Sequence, residues 1–267
     1  MKLKENKIYN MEAIKFLKRI PDESIDLILT DPPYNISKLN NDTDKSKLRI
    51  LKLRRKKPIK RYFGAWDMKE RREFLRFTKS WLYECCRTLK DGGTIISFFS
   101  KEDINFLGWT GKRYNIRSRT IMTWHKRNCA PSIRKRDYLS TCEFIWIGSK
   151  GKKPWTFNFK RQKEMHNFYE SLNRSIYGQT IHPNEKPLKL IRHLIEIHSN
   201  PEDLILDCFV GSGTTAIASN ELKRNFIGCE LDKEYYDIAV KRFETAKKQT
   251  KISNKNYLNK FLCKEIK

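Results

Sequence analysis

The stretch from Leu204 to Glu230 constrains the fold more than any other part of this chain. Leu204-Ile205-Leu206-Asp207 is an apolar run of strand length that ends on a carboxylate. Cys208 to Gly213 reads as a turn, Thr214–Leu222 as a helix, and Asn225–Cys229 as a second strand closed by Glu230. Strand, helix and strand in this succession pair in parallel, and a parallel sheet needs cover on both faces. Gly211, Gly213 and Ala216 fit the spacing G-x-G-x-x-A. Glycines there let the backbone turn tightly and approach a ligand, and a helix N-terminus favours an anion. Glu230 stands 23 positions after Asp207, about where an acidic side chain accepts both hydroxyls of a ribose. A tight turn with no ligand is the competing reading. No G-x-x-x-x-G-K occurs, so the turn does not read as a phosphate-loop nucleotidase.

The rest of the chain continues the alternation. Ile8-Tyr9 is a short apolar stretch, and Glu12–Lys18 reads as a helix ended by Pro21. Ser24–Thr30 is a strand stopped by Asp31-Pro32-Pro33. Lys69–Leu89 has helical spacing, with Phe74, Phe77, Trp81, Leu82, Cys85 and Leu89 on one side. Asp91-Gly92-Gly93 reads as a turn and Thr94–Phe99 as a buried strand. Arg119–Trp124 and Thr141–Ile147 are two more strands, and Pro187–His198 and Lys233–Lys247 two more helices. The expected class is α/β, a largely parallel sheet with helices on both faces.

Charge narrows the choice of partner. The chain carries 56 Lys and Arg against 31 Asp and Glu, a net +25. With 39% hydrophobic residues it is too apolar for a disordered chain, so this charge sits on a folded object. Ser37–Tyr62 holds +9 of it and Gly111–Lys163 holds +13. Two discrete basic segments argue for a contact surface for a polyanion, against the plainer reading of solvated lysine-rich loops. The first residues contain no apolar h-region, and no run approaches the roughly 18 apolar residues of a membrane span. Seven cysteines occur without a C-x-x-C pair, which disfavours a disulfide framework or zinc site and suits reduced thiols in a cytoplasm.

Asp31-Pro32-Pro33-Tyr34 sits directly after a buried-type strand, where open α/β sheets bind ligands. Prolines fix φ and lack N–H donors. The Asp31 carboxylate and the proline carbonyls therefore make a rigid corner rich in acceptors, and Tyr34 adds a flat face. Such a corner suits an exocyclic amino group on an aromatic ring, whose two hydrogens need two acceptors. An ordinary proline turn with Asp31 as a helix cap is the competing reading.

Asp31-Pro32-Pro33-Tyr34 and Asp207-Cys208-Phe209-Val210-Gly211-Ser212-Gly213-Thr214-Thr215 together resemble the two defining motifs of the S-adenosylmethionine-dependent DNA amino-methyltransferases. The first precedes the second, which resembles the family's permuted, beta-class order. His182-Pro183-Asn184-Glu185-Lys186-Pro187-Leu188 is similar to the segment just before the cofactor strand, and Phe226-Ile227-Gly228-Cys229-Glu230 to the acidic strand end. Ile8-Tyr9-Asn10-Met11-Glu12 resembles the segment that borders the cofactor adenine, where the family often has Asp in place of Glu12. The likeness spans roughly Ile8 to Phe243.

The resemblance implies a Rossmann-like methyltransferase fold, one domain over residues 1–267, with the basic loop 37–62 and a recognition region at about 126–180 inserted. It implies S-adenosylmethionine as cofactor, held by Asn10, Met11, Glu12, Lys186, Asp207, Phe209, Gly211, Ser212, Gly213, Thr214, Thr215 and Glu230, with Lys186 set against the cofactor carboxylate. It implies Asp31, Pro32, Pro33 and Tyr34 as the catalytic corner for a flipped DNA base. Arg54, Arg55, Lys56, Arg127, Arg134, Lys135 and Arg136 are the DNA-contact candidates, and Lys160–Gly178 the candidate recognition element. A homodimer, a companion restriction endonuclease and a cytoplasmic setting belong to the same expectation. Asp31 rather than Ser at the head of the motif leans to N6-adenine. N4-cytosine is the near alternative. An RNA or protein-glutamine methyltransferase, or a non-catalytic nucleic-acid-binding protein, is a more distant one. Cytosine C5 chemistry would need a nucleophilic Cys, usually after proline, and no Pro-Cys dipeptide occurs.

Overall fold

The computed structural model describes residues 3–34, 70–129, 138–172 and 185–262, of which 251–262 are described as backbone alone. In chain order the strands are β1 (Lys7–Asn10), β2 (Ile25–Thr30), β3 (Leu89–Phe99), β4 (Ile116–Lys126), β5 (Cys142–Lys150), β6 (Phe168–Ser171), β7 (Leu204–Asp207) and β8 (Asn225–Glu230). The helices are α1 (Ala13–Leu17), α2 (Arg71–Thr88), α3 (Ile104–Lys112), α4 (Leu188–His198), α5 (Thr214–Glu221) and α6 (Lys233–Leu262). The strands form one sheet in the order β1-β8-β7-β2-β3-β5-β4-β6. Neighbours pair in parallel except at β3–β5 and β5–β4, which are antiparallel.

Alternation along the inner strands splits the core in two. On β2, Ile28 faces one cluster and Leu27 and Leu29 the other; on β3, Ile95 and Phe99 oppose Ile96 and Phe98. The first cluster is closed by Phe16 and Leu17 of α1, Phe74, Trp81 and Leu82 of α2, and Leu107 of α3. The second is closed by Leu190, Ile191 and Leu194 of α4, Ala216 and Ala218 of α5, and Phe243 of α6. Helices thus cover both faces, as the parallel inner strands require. No helix among the described residues is long and apolar enough to cross a membrane.

Several local expectations are corrected. Asp91-Gly92-Gly93 is not a turn between elements, because β3 begins at Leu89 and runs through it. Leu89 pairs with Ile25 and Thr94 with Leu27, so the intervening residues bulge out of the ladder, with Gly92 at φ +86°. Helix α6 continues fifteen residues past Lys247, to Leu262. Helix α3 lies outside the elements expected from the sequence, because Gly108 and Gly111 weaken its local propensity. Both glycines let it lie close to β4 and β5: a Cβ at Gly108 would stand 2.8 Å from Ser118 Oγ, and one at Gly111 3.1 Å from the Trp146 ring. The apolar stretch Ile8-Tyr9 forms the centre of strand β1, and β6 falls inside the Lys160–Gly178 segment. Strand β5, within the 126–180 region, lies between β3 and β4, and its Ile145, Trp146 and Ile147 are buried.

Candidate active site

The parallel strands β1, β8, β7, β2 and β3 bring their C-terminal ends to one edge of the sheet. In spatial order that edge carries Asn10, Glu230, Asp207, Thr30 with Asp31, and Phe99. Residues 220 positions apart in the chain therefore become neighbours. Strand β5 runs the other way and starts at this edge, with Phe144 paired to Phe99 and Glu143 to Trp124 of β4.

The glycine turn has the predicted form. Gly211 takes φ +52° and Gly213, at the N-cap of α5, takes φ +88°. They do different work. A Cβ on Gly213 would press on Ala239 of α6 at 3.2 Å, so that glycine lets two helices approach. A Cβ on Gly211 would meet nothing within 4 Å and would project into open space. The Gly211 N–H donates to Glu230 Oε2 at 2.8 Å, and the Asp232 N–H donates to Oε1 at 2.9 Å. Each carboxylate oxygen keeps a further acceptor position. Burial, the largest influence, raises the Glu230 pKa against these two hydrogen bonds. The Met11 N–H and the Asn10 amide bond the Glu230 carbonyl at 3.1 and 2.9 Å, tying the β1 segment to the same strand end. Glu12 is the N-cap of α1, and its oxygens accept from the N–H groups of Ile14 and Lys15 at 3.0 and 2.9 Å. Phe209 packs edge-on against Phe77 and Trp81.

Asp207 faces inward beneath the turn and is 3% exposed. Its Oδ1 accepts from the Thr30 hydroxyl at 2.8 Å and from the Phe209 N–H at 3.0 Å. Thr215 of α5 also bonds it. Burial pushes its pKa up to about 6 in spite of these donors, and the nearby Asp31 charge adds to the rise. The Thr30–Asp207 bond locks the ends of β2 and β7 together, so Asp31 starts its corner beside the glycine turn.

The corner itself is a charged network. The Tyr34 hydroxyl donates to Asp31 Oδ1, and the Lys186 ammonium donates to Asp31 Oδ2. Lys186 is only 8% exposed, while the Asp31 side chain keeps 27% of its surface open. The same ammonium lies 3.4 Å from Glu143 Oε2, and Glu143 Oε1 accepts from Lys126 at 3.1 Å. The Phe98 ring forms a floor 4.9 Å below the ammonium. Burial opposes charge on Asp31, Glu143 and Lys186, and the partners offset it to different extents. Asp31 ends above its usual pKa, with burial outweighing Lys186. Glu143 ends below its usual value, because Lys186 and Lys126 together outweigh burial. Lys186 ends above its own, held charged by Asp31 and Glu143. Lys186 is placed by its neighbours: Glu185 bonds Arg242 of α6 at 2.7 Å, the same guanidinium bonds the Ser212 carbonyl at 2.7 Å, and Pro187 opens α4.

The structure thus gathers Asn10, Met11, Glu12, Asp31, Pro32, Pro33, Tyr34, Lys186, Asp207, Phe209, Gly211, Ser212, Gly213, Thr214, Thr215 and Glu230 about one sheet edge. It pairs Lys186 with Asp31. Among the DNA-contact candidates, Arg127 is exposed and lies 3.7 Å from Glu170. Arg54, Arg55, Lys56, Arg134, Lys135 and Arg136, with the loop 37–62, lie outside the described residues. Sequence reasoning missed Glu143, Thr30 and Gly228. The signal for Glu143 was present, since it is one of two acidic residues in the +13 segment. Gly228 is needed because a Cβ there would stand 2.6 Å from the Asp207 carbonyl oxygen.

The residues fit a nucleoside-bearing cofactor: a positive-φ glycine with open space above it, the start of α5, and a strand-end carboxylate oriented by two backbone N–H groups. No cluster of metal-ligating side chains occurs among the described residues.

Comparison with known proteins agrees. The family described as DNA methylase matches residues 25–241. The Type II methyltransferase M2.MboI of Moraxella bovis is 32% identical over 248 residues, covering 88% of this chain and 86% of its own length. M.HinfI of Haemophilus influenzae is 30% identical, covering 91% of this chain and 69% of its own. Among solved structures, the M1.HpyAVI–SAM complex superposes with TM-score 0.64 at 27% identity, over 88% of this chain and 98% of that one. The cytosine-N4-specific PvuII DNA methyltransferase shares the fold, with TM-score 0.66 at 21% identity over 89% of this chain and 86% of its own.

Proposed function

This chain belongs to the DNA methylase family, and from that premise we propose that it transfers a methyl group from S-adenosylmethionine to the N6 amino group of adenine in DNA. The observation that carries this reading is the placement of Asp31: a partly open carboxylate at the end of β2, joined through Thr30 and Asp207 to the glycine turn of β7.

When bound, S-adenosylmethionine supplies an electrophilic sulfonium methyl. Glu230 accepts the ribose hydroxyls with the acceptor positions its two backbone donors leave. Gly211, Ser212 and Gly213, at the start of α5, surround the amino-acid portion, Asn10, Met11 and Glu12 border the adenine, and Phe209 lines the methyl-bearing end. Their side-chain and backbone contacts orient the group; the chemistry at the base belongs to Asp31.

An exocyclic amino nitrogen donates its lone pair into the ring and is a weak nucleophile. Asp31 and the Pro32 carbonyl accept its two hydrogens, favour a pyramidal nitrogen, and stabilise the positive charge that develops there. Burial raises the Asp31 pKa, which suits a carboxylate that must take a proton from a cationic methylated amine. Tyr34 stacks on the base, which must leave the duplex to reach the corner. The basic segments Ser37–Tyr62 and Gly111–Lys163 hold the phosphates, in one domain whose recognition region spans about 126–180. The six described cysteines are free thiols, which supports a reducing, cytoplasmic setting. The likeness to Type II methyltransferases fits an enzyme that acts alongside a restriction endonuclease.

The test is nucleoside mass spectrometry of DNA incubated with the protein and methyl-labelled S-adenosylmethionine. N6-methyladenine is expected. Label in N4-methylcytosine, or none in DNA, would overturn the reading. Asp31→Ala should abolish transfer while cofactor affinity, measured by calorimetry, stays within about twofold.

A further inference from the structure

We propose that Glu143 is a positioning residue that takes the Lys186 ammonium over from Asp31 when the target base arrives. The inference rests on the methyltransferase reading and deepens it. It starts from a conflict in the geometry. Both Asp31 oxygens are occupied: Oδ1 by the Tyr34 hydroxyl and Oδ2 by Lys186. Each oxygen keeps a second acceptor position, but a buried ammonium in a charge-assisted bond neutralises much of the charge that Oδ2 can offer an amino group. Moving the ammonium away makes Oδ2 the stronger acceptor.

Lys186 has one other place to go among the described groups. It is 8% exposed and stands above the Phe98 ring, so water cannot readily replace Asp31 as its partner. Glu143 Oε2 lies 3.4 Å from the ammonium, too long for a strong hydrogen bond but within a small side-chain shift of one. This oxygen is buried and has no closer hydrogen-bond partner. The other oxygen, Oε1, is tied down by Lys126 at 3.1 Å. The backbone under Glu143 is fixed, because β5 is paired on both sides, with β3 and with β4. A structural ion pair needs one carboxylate for one ammonium. Here one ammonium sits between two, and only one of them lies in the catalytic corner.

The charges that face this site come from four elements. Lys186 precedes α4, Glu143 is on β5 and Lys126 on β4, and Asp207 at the end of β7 repels Asp31. Moving Lys186 toward Glu143 leaves the total charge unchanged and lets Asp31 act as a fuller anion toward the amino group. Without a second anion the ammonium has no reason to leave.

Glu143→Gln removes the receiving charge and keeps the shape. Lys186 then stays with Asp31. The expected result is a fall in kcat of about tenfold with KM for DNA and cofactor within about twofold. The acid limb of the kcat–pH profile should move to lower pH, because Asp31 loses a neighbouring anion and keeps the cation to itself. Glu143→Asp should restore part of kcat. Lys126→Met frees Glu143 to pull harder on Lys186, so it should move the acid limb the opposite way. A second readout needs no turnover: the carboxyl carbon of Asp31 in the ligand-free protein, assigned through Asp31→Asn, titrated by NMR. Its midpoint should fall in Glu143→Gln and rise in Lys126→Met. An Asp31 midpoint unmoved in both variants overturns the proposal, as does a kcat loss with an unshifted pH profile. If the wild-type protein leaves DNA unmodified, the methyltransferase reading fails, while the NMR midpoints still decide the Glu143–Lys186–Asp31 coupling.

Discussion

Asp207 offers a quantitative check on how the glycine turn is held. Its carboxylate is 3% exposed and its pKa stands at about 6, against an ordinary 3.8. The native protein therefore binds this proton more tightly than the unfolded chain does. The contribution to stability is fully present below the ordinary value and is lost as pH rises through the folded value. A shift of about 2 units corresponds to about 3 kcal/mol in all. Part of that is already lost by pH 4.5, since the unfolded chain titrates first. About 2 kcal/mol remains to be lost between about pH 4.5 and 7.5. Asp207→Asn is neutral throughout, and its side-chain oxygen can still accept from the Thr30 hydroxyl and the Phe209 N–H, which both use Oδ1. Urea unfolding of the ligand-free wild type and variant at both pH values gives a double difference that cancels the other carboxylates. The variant should gain about 2 kcal/mol on the wild type as pH rises across this window. A double difference of zero would mean that Asp207 titrates normally, and that burial is not what governs it.

Two glycines in the cofactor half should separate folding from binding. Gly228→Ala places a Cβ 2.6 Å from the Asp207 carbonyl oxygen and 2.6 Å from Val210 Cγ2. Strands β7 and β8 must part, and thermal unfolding should show a loss of roughly 1–3 kcal/mol. Gly211→Trp points into open space at φ +52°; it should cost about 1–2 kcal/mol for the left-handed backbone yet eliminate S-adenosylmethionine binding by calorimetry. Equal effects of the two variants on binding and on stability would refute the division of roles. DNA affinity should fall by at least about tenfold between roughly 50 and 200 mM salt in fluorescence anisotropy. A flat salt response would mean that the +22 carried by the two basic segments is not used on phosphates.

What the sequence made legible was the local chemistry at strand ends. Asp31, Asp207 and Glu230 each terminate an apolar run, and parallel pairing does the rest by aligning those ends. Asn10 joins them for the same reason. What was not legible depends on partners far apart in the chain. Periodicity identified a strand near Thr141–Ile147 but could not say that it inserts antiparallel between β3 and β4. That insertion is what carries Glu143 to the edge that holds Asp31 and Lys186. Lys186 illustrates the same limit. The resemblance set it against a cofactor carboxylate, and the fold sets it against Asp31 and Glu143, some 155 and 43 positions away. The Asp91-Gly92-Gly93 segment carried true turn chemistry, but strand pairing on either side absorbed it as a bulge.

The charge distribution gives a physical reason for a carboxylate at the position of Glu143. The chain as a whole carries +25, yet Lys126, Glu143, Lys186 and Asp31 alternate in sign and cancel. Methyl transfer builds positive charge on the amino nitrogen, so a bare ammonium beside it would oppose the reaction. With Asp31 alone opposite Lys186, the pair would be neutral and the carboxylate would have little field left to offer. In the proposed mechanism the second anion offsets Lys186, which leaves the Asp31 charge acting on the nitrogen. A strongly basic surface can then gather DNA without imposing its potential on the one atom where positive charge must develop.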